Sequence, residues 1–203
     1  MTEEITNIGI AMYALYQLGG AERKVHTEKV AELCHQLARR QFSWRLREFS
    51  HIPDKEVARI ALHDARKVKY GKLVVGRAGV GASGKEADGW LLTAEGVRWV
   101  IQNEKRIVKA LGTEVPGARR PDIQRVKKRF AENPIYLKFL RANNLNDVNP
   151  YELTDMLSCP PDADMVLVRK RYERLQTEAA LLQDERVTAF MKQVWDKLSK
   201  LLV

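Results

Sequence analysis

Apolar positions recur every three or four residues along most of the chain, which predicts a mainly helical protein. Ile5, Ile8, Met12, Leu15 and Leu18 form one such stripe, and Gly19-Gly20 ends it. A second helix is predicted from a cap at Thr27 to about Arg39, with Val30, Ala31, Leu33, Cys34 and Leu37 inward. An aromatic and basic connection follows, Arg39-Arg40-Gln41-Phe42-Ser43-Trp44-Arg45. A third helix is predicted from Asp54, whose carboxylate can cap the free N–H groups of a first turn, to about residue 69. Its inward positions are expected to be Val57, Ile60, Ala61, Ala65 and Val68.

The period changes after residue 71. Residues 72–76 (Lys-Leu-Val-Val-Gly) are short and β-branched and predict a strand, and Trp90-Leu91-Leu92 predicts a second. Between them lies a loop carrying Gly76, Gly79, Gly81, Gly84 and Gly89. Thr93 then caps a predicted helix through Leu111, with Val97, Val100, Ile101, Ile107, Val108 and Leu111 on one side. The Gly- and Pro-containing stretch from Gly112 to Asp122 reads as a linker. The expected organisation is a domain over 1–112, a linker over 113–122 and a helical domain over 123–203. In the last part, a basic helix at about 121–131 precedes two short helices opened by Asn133-Pro134 and Asn149-Pro150. Two longer helices, about 162–183 and 185–202, carry stripes through Val168, Tyr172, Leu175, Ala179 and Leu182, and through Val187, Phe190, Met191, Val194, Leu198 and Leu201. Such a seam packs on other helices, the chain's own or a second copy's.

Charge narrows the function classes. The chain has 203 residues, with 35 Lys and Arg against 26 Asp and Glu, a formal net charge of +9. That surplus favours a polyanionic partner, nucleic acid before anionic membrane. No apolar run is long enough to span a bilayer, and Met1-Thr2-Glu3-Glu4 lacks the basic start of a signal peptide, so a cytoplasmic protein is expected. Cys34 and Cys159 stand far apart and form no metal pattern. The surplus is also local. Residues 39–77 hold eleven basic side chains, Arg39, Arg40, Arg45, Arg47, Lys55, Arg59, Arg66, Lys67, Lys69, Lys72 and Arg77, against four acids, Glu48, Asp54, Glu56 and Asp64.

The predicted order over residues 5–111, three helices, a strand, a Gly-rich loop, a strand and a helix, resembles a winged helix-turn-helix domain. Gly89-Trp90-Leu91-Leu92-Thr93-Ala94-Glu95-Gly96 is similar to the aromatic-x-Leu-Thr-x-x-Gly element that closes the wing in that family. The resemblance implies a mainly α fold with a small antiparallel β wing, and double-stranded DNA as partner. The third helix would lie in the major groove and the wing on the backbone or an adjacent groove.

Geometry supports the same surface without the resemblance. A major groove about 12 Å wide admits one helix. Helical spacing puts Arg59, His63, Arg66 and Tyr70 on one side of the third helix, with Lys55 one turn earlier. The expected contact set is Arg39, Arg40, Arg45, Lys55, Arg59, His63, Arg66, Lys67 and Lys69, with Arg77 and Lys85 from the loop. Glu86 and Asp88 are expected to oppose tight contact there. Arg119, Arg120, Arg125, Lys127, Lys128 and Arg129 form a second basic cluster, a further phosphate grip or simply a solvated helix face.

Other chemistry is weaker. Residues 79–86 nearly spell a P-loop, but Glu86 stands where a hydroxyl should hold Mg²⁺ and a strand follows where a helix is needed. His26, His35, His51 and His63 are scattered, and nothing supports a catalytic group, metal or cofactor. Phe42 and Trp44 are expected to plug the turn before the third helix, leaving no stacking platform of the kind single-stranded RNA recognition uses. The competing function is a protein–protein adaptor. Residues 163–202 are the expected seam for a homodimer or a partner.

Overall fold

Thr6 Oγ1 accepts a hydrogen bond from Gly9 N at 3.2 Å and so begins the first helix, α1 (Asn7–Gln17). In this computed structural model, residues 5–79, 88–112, 122–160 and 163–200 are described. The chain divides into two units, Met1–Pro121 and Asp122–Val203. Among the described residues it is mainly α, with one two-stranded antiparallel sheet, and no helix is long and apolar enough to cross a membrane.

In the first unit α1 is buried nearly all round, packed against α2 (Thr27–Leu37), α3 (Lys55–Ala65) and α4 (Ala94–Leu111). Strands β1 (Val74–Arg77) and β2 (Gly89–Leu92) pair from Val74↔Leu92 to Arg77↔Gly89. The other edge of β2 is also occupied. Val25 and Trp90 exchange both backbone hydrogen bonds at 2.9 Å. A one-residue bridge has no period to detect, and none was expected from the chain.

Two helix boundaries differ from expectation. His26, not Thr27, caps α2, its Nδ1 accepting from Glu28 N at 3.2 Å, while Thr27 turns inward and is buried. Asp54 caps α3 as expected, but α3 ends at Ala65 and not near 69. Leu73 N donates to Ala65 O at 2.8 Å, so the chain doubles back through a 3₁₀ turn at Val68–Tyr70. The inward face also shifts. Ala58, Ala61, Leu62 and Ala65 are buried, while Ile60 is 49% and Val68 74% exposed. Both sets of residues have helical spacing. Ala61 and Ala65 are inward as expected, Ala58 and Leu62 join them where α3 packs on α1 and α2, and Val68 lies beyond the helix where its phase no longer applies.

The Leu92-Thr93-x-x-Gly96 element has a specific mechanical cause. Thr93 N donates to Leu73 O at 3.0 Å, and Thr93 Oγ1 accepts from Gly96 N at 3.0 Å, capping α4. Leu73 O therefore lies directly on the first turn of α4. A Cβ at position 96 would stand 2.0 Å from that oxygen.

The second unit contains α5 (Ile123–Ala131), α6 (Pro134–Ala142), α7 (Pro150–Met156), α8 (Met165–Ala180) and α9 (Glu185–Lys200). Asn133 and Asn149 cap α6 and α7, each followed by Pro in the first turn, as their sequences predict. Its core is an aromatic cluster in which Phe190 meets Tyr136 at 5.0 Å, Phe139 at 5.5 Å and Phe130 at 6.3 Å between ring centroids. Val168, Tyr172, Leu175 and Ala179 of α8, and Val187, Phe190, Met191, Val194 and Leu198 of α9, are all buried. Of the rest of the expected seam, Leu182 is half-buried and Leu201 lies outside the described residues. Tyr172 donates from its hydroxyl to Met191 O at 2.9 Å across the seam.

Gly96→Ala supplies a direct check. Alanine favours a helix interior by about 1 kcal/mol over glycine, but the clash with the Leu73 carbonyl should reverse the sign. The expected result is a net loss of about 1–3 kcal/mol in urea unfolding.

Candidate nucleic-acid interface

The cations predicted on the third helix do surface there, but acids accompany them. Lys55 Nζ lies 2.7 Å from Glu28 Oε1 on α2, and Lys67 Nζ 2.6 Å from Asp64 Oδ1. Arg59 grips Glu56 through two nitrogens, with Nε at 2.7 Å from Oε2 and an Nη2–Oε1 contact. The hydrogen bond from Lys55 lowers the Glu28 pKa and raises that of Lys55. Arg59 lowers that of Glu56, and Lys67 that of Asp64, mainly through hydrogen bonds. All are solvated pairs, which salt screens and competing anions can displace.

Arg66 has other work. Its Nη1 donates to Gly76 O at 3.2 Å, tying the end of α3 to β1, and its Nη2 lies 3.0 Å from His63 Nε2. A guanidinium can only donate, so Nε2 of His63 accepts. Lys69 Nζ sits 4.7 Å above the Tyr70 ring. Arg77 is exposed on β1. Lys85 and Glu86 lie outside the described residues, as does most of the near-P-loop stretch.

The connection between α2 and α3 is a built structure. Phe42 is fully buried, as expected, and its carbonyl accepts from Asp54 N at 2.7 Å. Ser43 and Pro53 form a bridge, and Trp44 N donates to Ile52 O at 3.3 Å. Ser50 O gathers Ser43 Oγ at 2.9 Å, Arg39 Nε at 3.3 Å and His35 Nε2 at 3.4 Å. Trp44 is not the expected plug: it is 48% exposed, edge-on to Phe49 with 5.8 Å between centroids. Phe42 alone reaches the core, and Trp44, two residues on, stands outside beside Phe49. Every residue from Trp44 to His51 is exposed. No ion pair involves Arg40, Arg45 or Arg47 among the described residues.

Asp88 corrects a second expectation, that it faces outward from the loop. Its side chain is only 6% exposed. Oδ1 accepts from Thr27 N at 3.0 Å and from Thr27 Oγ1, Oδ2 accepts from Gly79 N at 3.1 Å, and Trp90 Nε1 donates to Thr27 Oγ1 at 2.9 Å. Burial raises the Asp88 pKa, but the hydrogen bonds from Thr27 and Gly79, with the nearby His26, outweigh it and leave the carboxyl below its ordinary value. Thr27 and Trp90 lie 63 residues apart, so no local signal in the chain announces this group. The same core holds Cys34, whose thiol pKa burial pushes up.

The second basic cluster is dispersed. Arg119 and Arg120 lie outside the described residues. Arg129 pairs at 2.6 Å with Glu178, a buried carboxylate that also has Arg174 at 3.8 Å. Lys128 lies 3.8 Å from Glu132, and Arg125 N donates to the capping Asp122 at 2.9 Å. Lys127 is exposed on α5. Arg129 therefore serves the fold of its unit, because a buried Glu178 needs a counter-charge. Among the described residues no cluster of His, Cys, Asp or Glu is placed to hold a metal ion. No known protein family, curated protein or solved structure matches the chain.

Asp88→Asn should weaken the first unit by about 1–3 kcal/mol at pH 7, because the amide turns an N–H toward a donor and leaves buried groups unpaired. The sign with pH follows from the lowered pKa. Wild type holds this contribution above the unfolded Asp value near 3.9 and loses it as pH falls through the lower folded value. Urea midpoints from pH 7 down to pH 2.5 should therefore drop more steeply below about pH 4 for wild type than for the variant.

Proposed function

We propose that the first unit binds double-stranded DNA without catalysing a reaction on it, with α3 in the major groove and the β1–β2 hairpin as a wing on the backbone. A transcriptional regulator, or the DNA-contacting subunit of a larger system, suits this reading. The observation that carries it is the run of exposed cations from Arg39 through Lys69, on the outer side of α3 and the connection before it. The element order α1-α2-α3-β1-β2-α4 is the one the winged-helix resemblance implies, and the Thr93–Gly96 contact gives its sequence element a physical role. The inward carboxylate of Asp88 removes one source of repulsion from the wing.

The ion pairs on α3 shape how binding would work. Phosphate must displace Glu28, Glu56 and Asp64 from Lys55, Arg59 and Lys67. The acids reduce non-specific attraction and demand a close fit before the cations are released. A second reading has its own support. Ile60 on α3, Val68 and Tyr70 in the turn after it and Val75 on β1 are exposed, as apolar contacts of a protein-binding adaptor would be.

Anisotropy with a labelled random duplex at rising salt separates the two. Affinity should fall with a log–log slope of about 0.9 per phosphate contacted. Lys55→Ala with Arg59→Ala should weaken binding by about tenfold or more and flatten the slope by about two. Glu56→Gln should do the reverse, tightening binding by freeing Arg59. A flat salt response, or no binding at about 50 mM salt, removes the DNA reading and leaves the adaptor.

A further inference from the structure

The connection between α2 and α3 is much longer than the three- or four-residue turn of a compact helix-turn-helix; it runs from residue 38 to 54. Its length is spent on presenting Trp44, Leu46 and Phe49 to solvent, at 48%, 59% and 37% exposure. Isolated exposed apolar side chains are ordinary, but three within six positions, two of them aromatic and in edge contact, are not. The loop that carries them is tied at its base by the Ser43–Pro53 bridge, the Phe42 anchor and the bonds converging on Ser50 O. The rings are therefore held in place before any partner arrives, which lowers the ordering cost of binding.

The charge around them selects the partner. Arg39, Arg40, Arg45 and Arg47 flank the rings, Glu48 is the one acid between Arg39 and His51, and no lysine occurs there. Guanidinium groups grip phosphate through parallel N–H bonds and stack on flat π systems, which ammonium groups do not. An anionic membrane would draw lysine and arginine alike. Aromatic faces beside phosphate grips are what a strand with unpaired bases requires, since each base offers a face to stack on and each linkage a charge.

We propose that residues 39–51 form a binding platform for single-stranded nucleic acid, with Trp44 stacking on an unpaired base and Arg45 and Arg47 holding the flanking phosphates. This goes beyond the duplex reading and uses a different set of side chains from α3. On a partly opened duplex, the two surfaces would hold the paired and unpaired parts.

The test uses the full chain and oligo-dT of about twelve nucleotides, followed by anisotropy. Trp44→Ala should weaken binding roughly tenfold or more, Trp44→Phe should retain it within a few-fold, and Arg45→Lys with Arg47→Lys should weaken it at unchanged net charge. Circular dichroism checks that each variant is folded, and Arg45→Ala with Arg47→Ala repeats the test with the rings intact. Equal oligo-dT binding by wild type and folded Trp44→Ala would overturn the proposal. So would binding to phosphatidylserine vesicles without binding to oligo-dT, or an equal loss for oligo-dT and a closed duplex in Trp44→Ala. Lys55→Ala with Arg59→Ala should cost oligo-dT binding clearly less than Arg45→Ala with Arg47→Ala, which removes the same charge, whether or not the duplex reading survives.

Discussion

A buried carboxylate is tolerated only where donors replace the water it has lost. At Asp88 those donors come from the start of α2 and the end of β1, through Thr27 and Gly79. Thr27 Oγ1 completes the chain by accepting from Trp90, whose backbone is already paired with Val25. Three stretches of chain, Val25–Thr27, the turn at Gly79 and Asp88–Trp90, are thus tied by one side chain and its neighbours. The hairpin cannot swing relative to α2 without leaving a charge unpaired.

That anchoring fixes what the outer surface of the first unit can present. Small residues at 58, 61 and 65 seat α3 against α1 and α2, which leaves its remaining circumference to solvent. The exposed side is not simply positive. Acids one turn away, or on α2, hold Lys55, Arg59 and Lys67, whereas the preceding connection carries arginines with far less local opposition. Among the described residues, Arg40, Arg45 and Arg47 make no ion pair, whereas Lys55, Arg59 and Lys67 each make one. A surface in which paired cations adjoin unpaired ones separates long-range attraction from close-range recognition.

The second unit uses its charges and apolar stripes on itself. Glu178 is buried and held by Arg129, and Lys197 reaches the carbonyls of Leu145 and Asn146. Most of the α8 and α9 stripe residues are buried, while Tyr151 and Val166 are among the exposed apolar groups.

Local stereochemistry wrote itself plainly into the chain. Asp54, Thr93, Asn133 and Asn149 cap the helices they were expected to cap, because capping needs only a side-chain oxygen and the next few N–H groups. The strand pair and the mainly α character were legible for the same reason: both rest on a repeat of a few residues. Tertiary structure alone turned the buried face of α3 by about one position, adding Ala58 and Leu62 to the expected Ala61 and Ala65 and leaving Ile60 outside. It decided that Asp88 points in, that Arg129 belongs to a buried pair and that Trp44 stands outside while Phe42 fills the core. The outcomes at Asp88 and Arg129 depend on a partner tens of residues away, and such a partner leaves no mark in the neighbouring sequence.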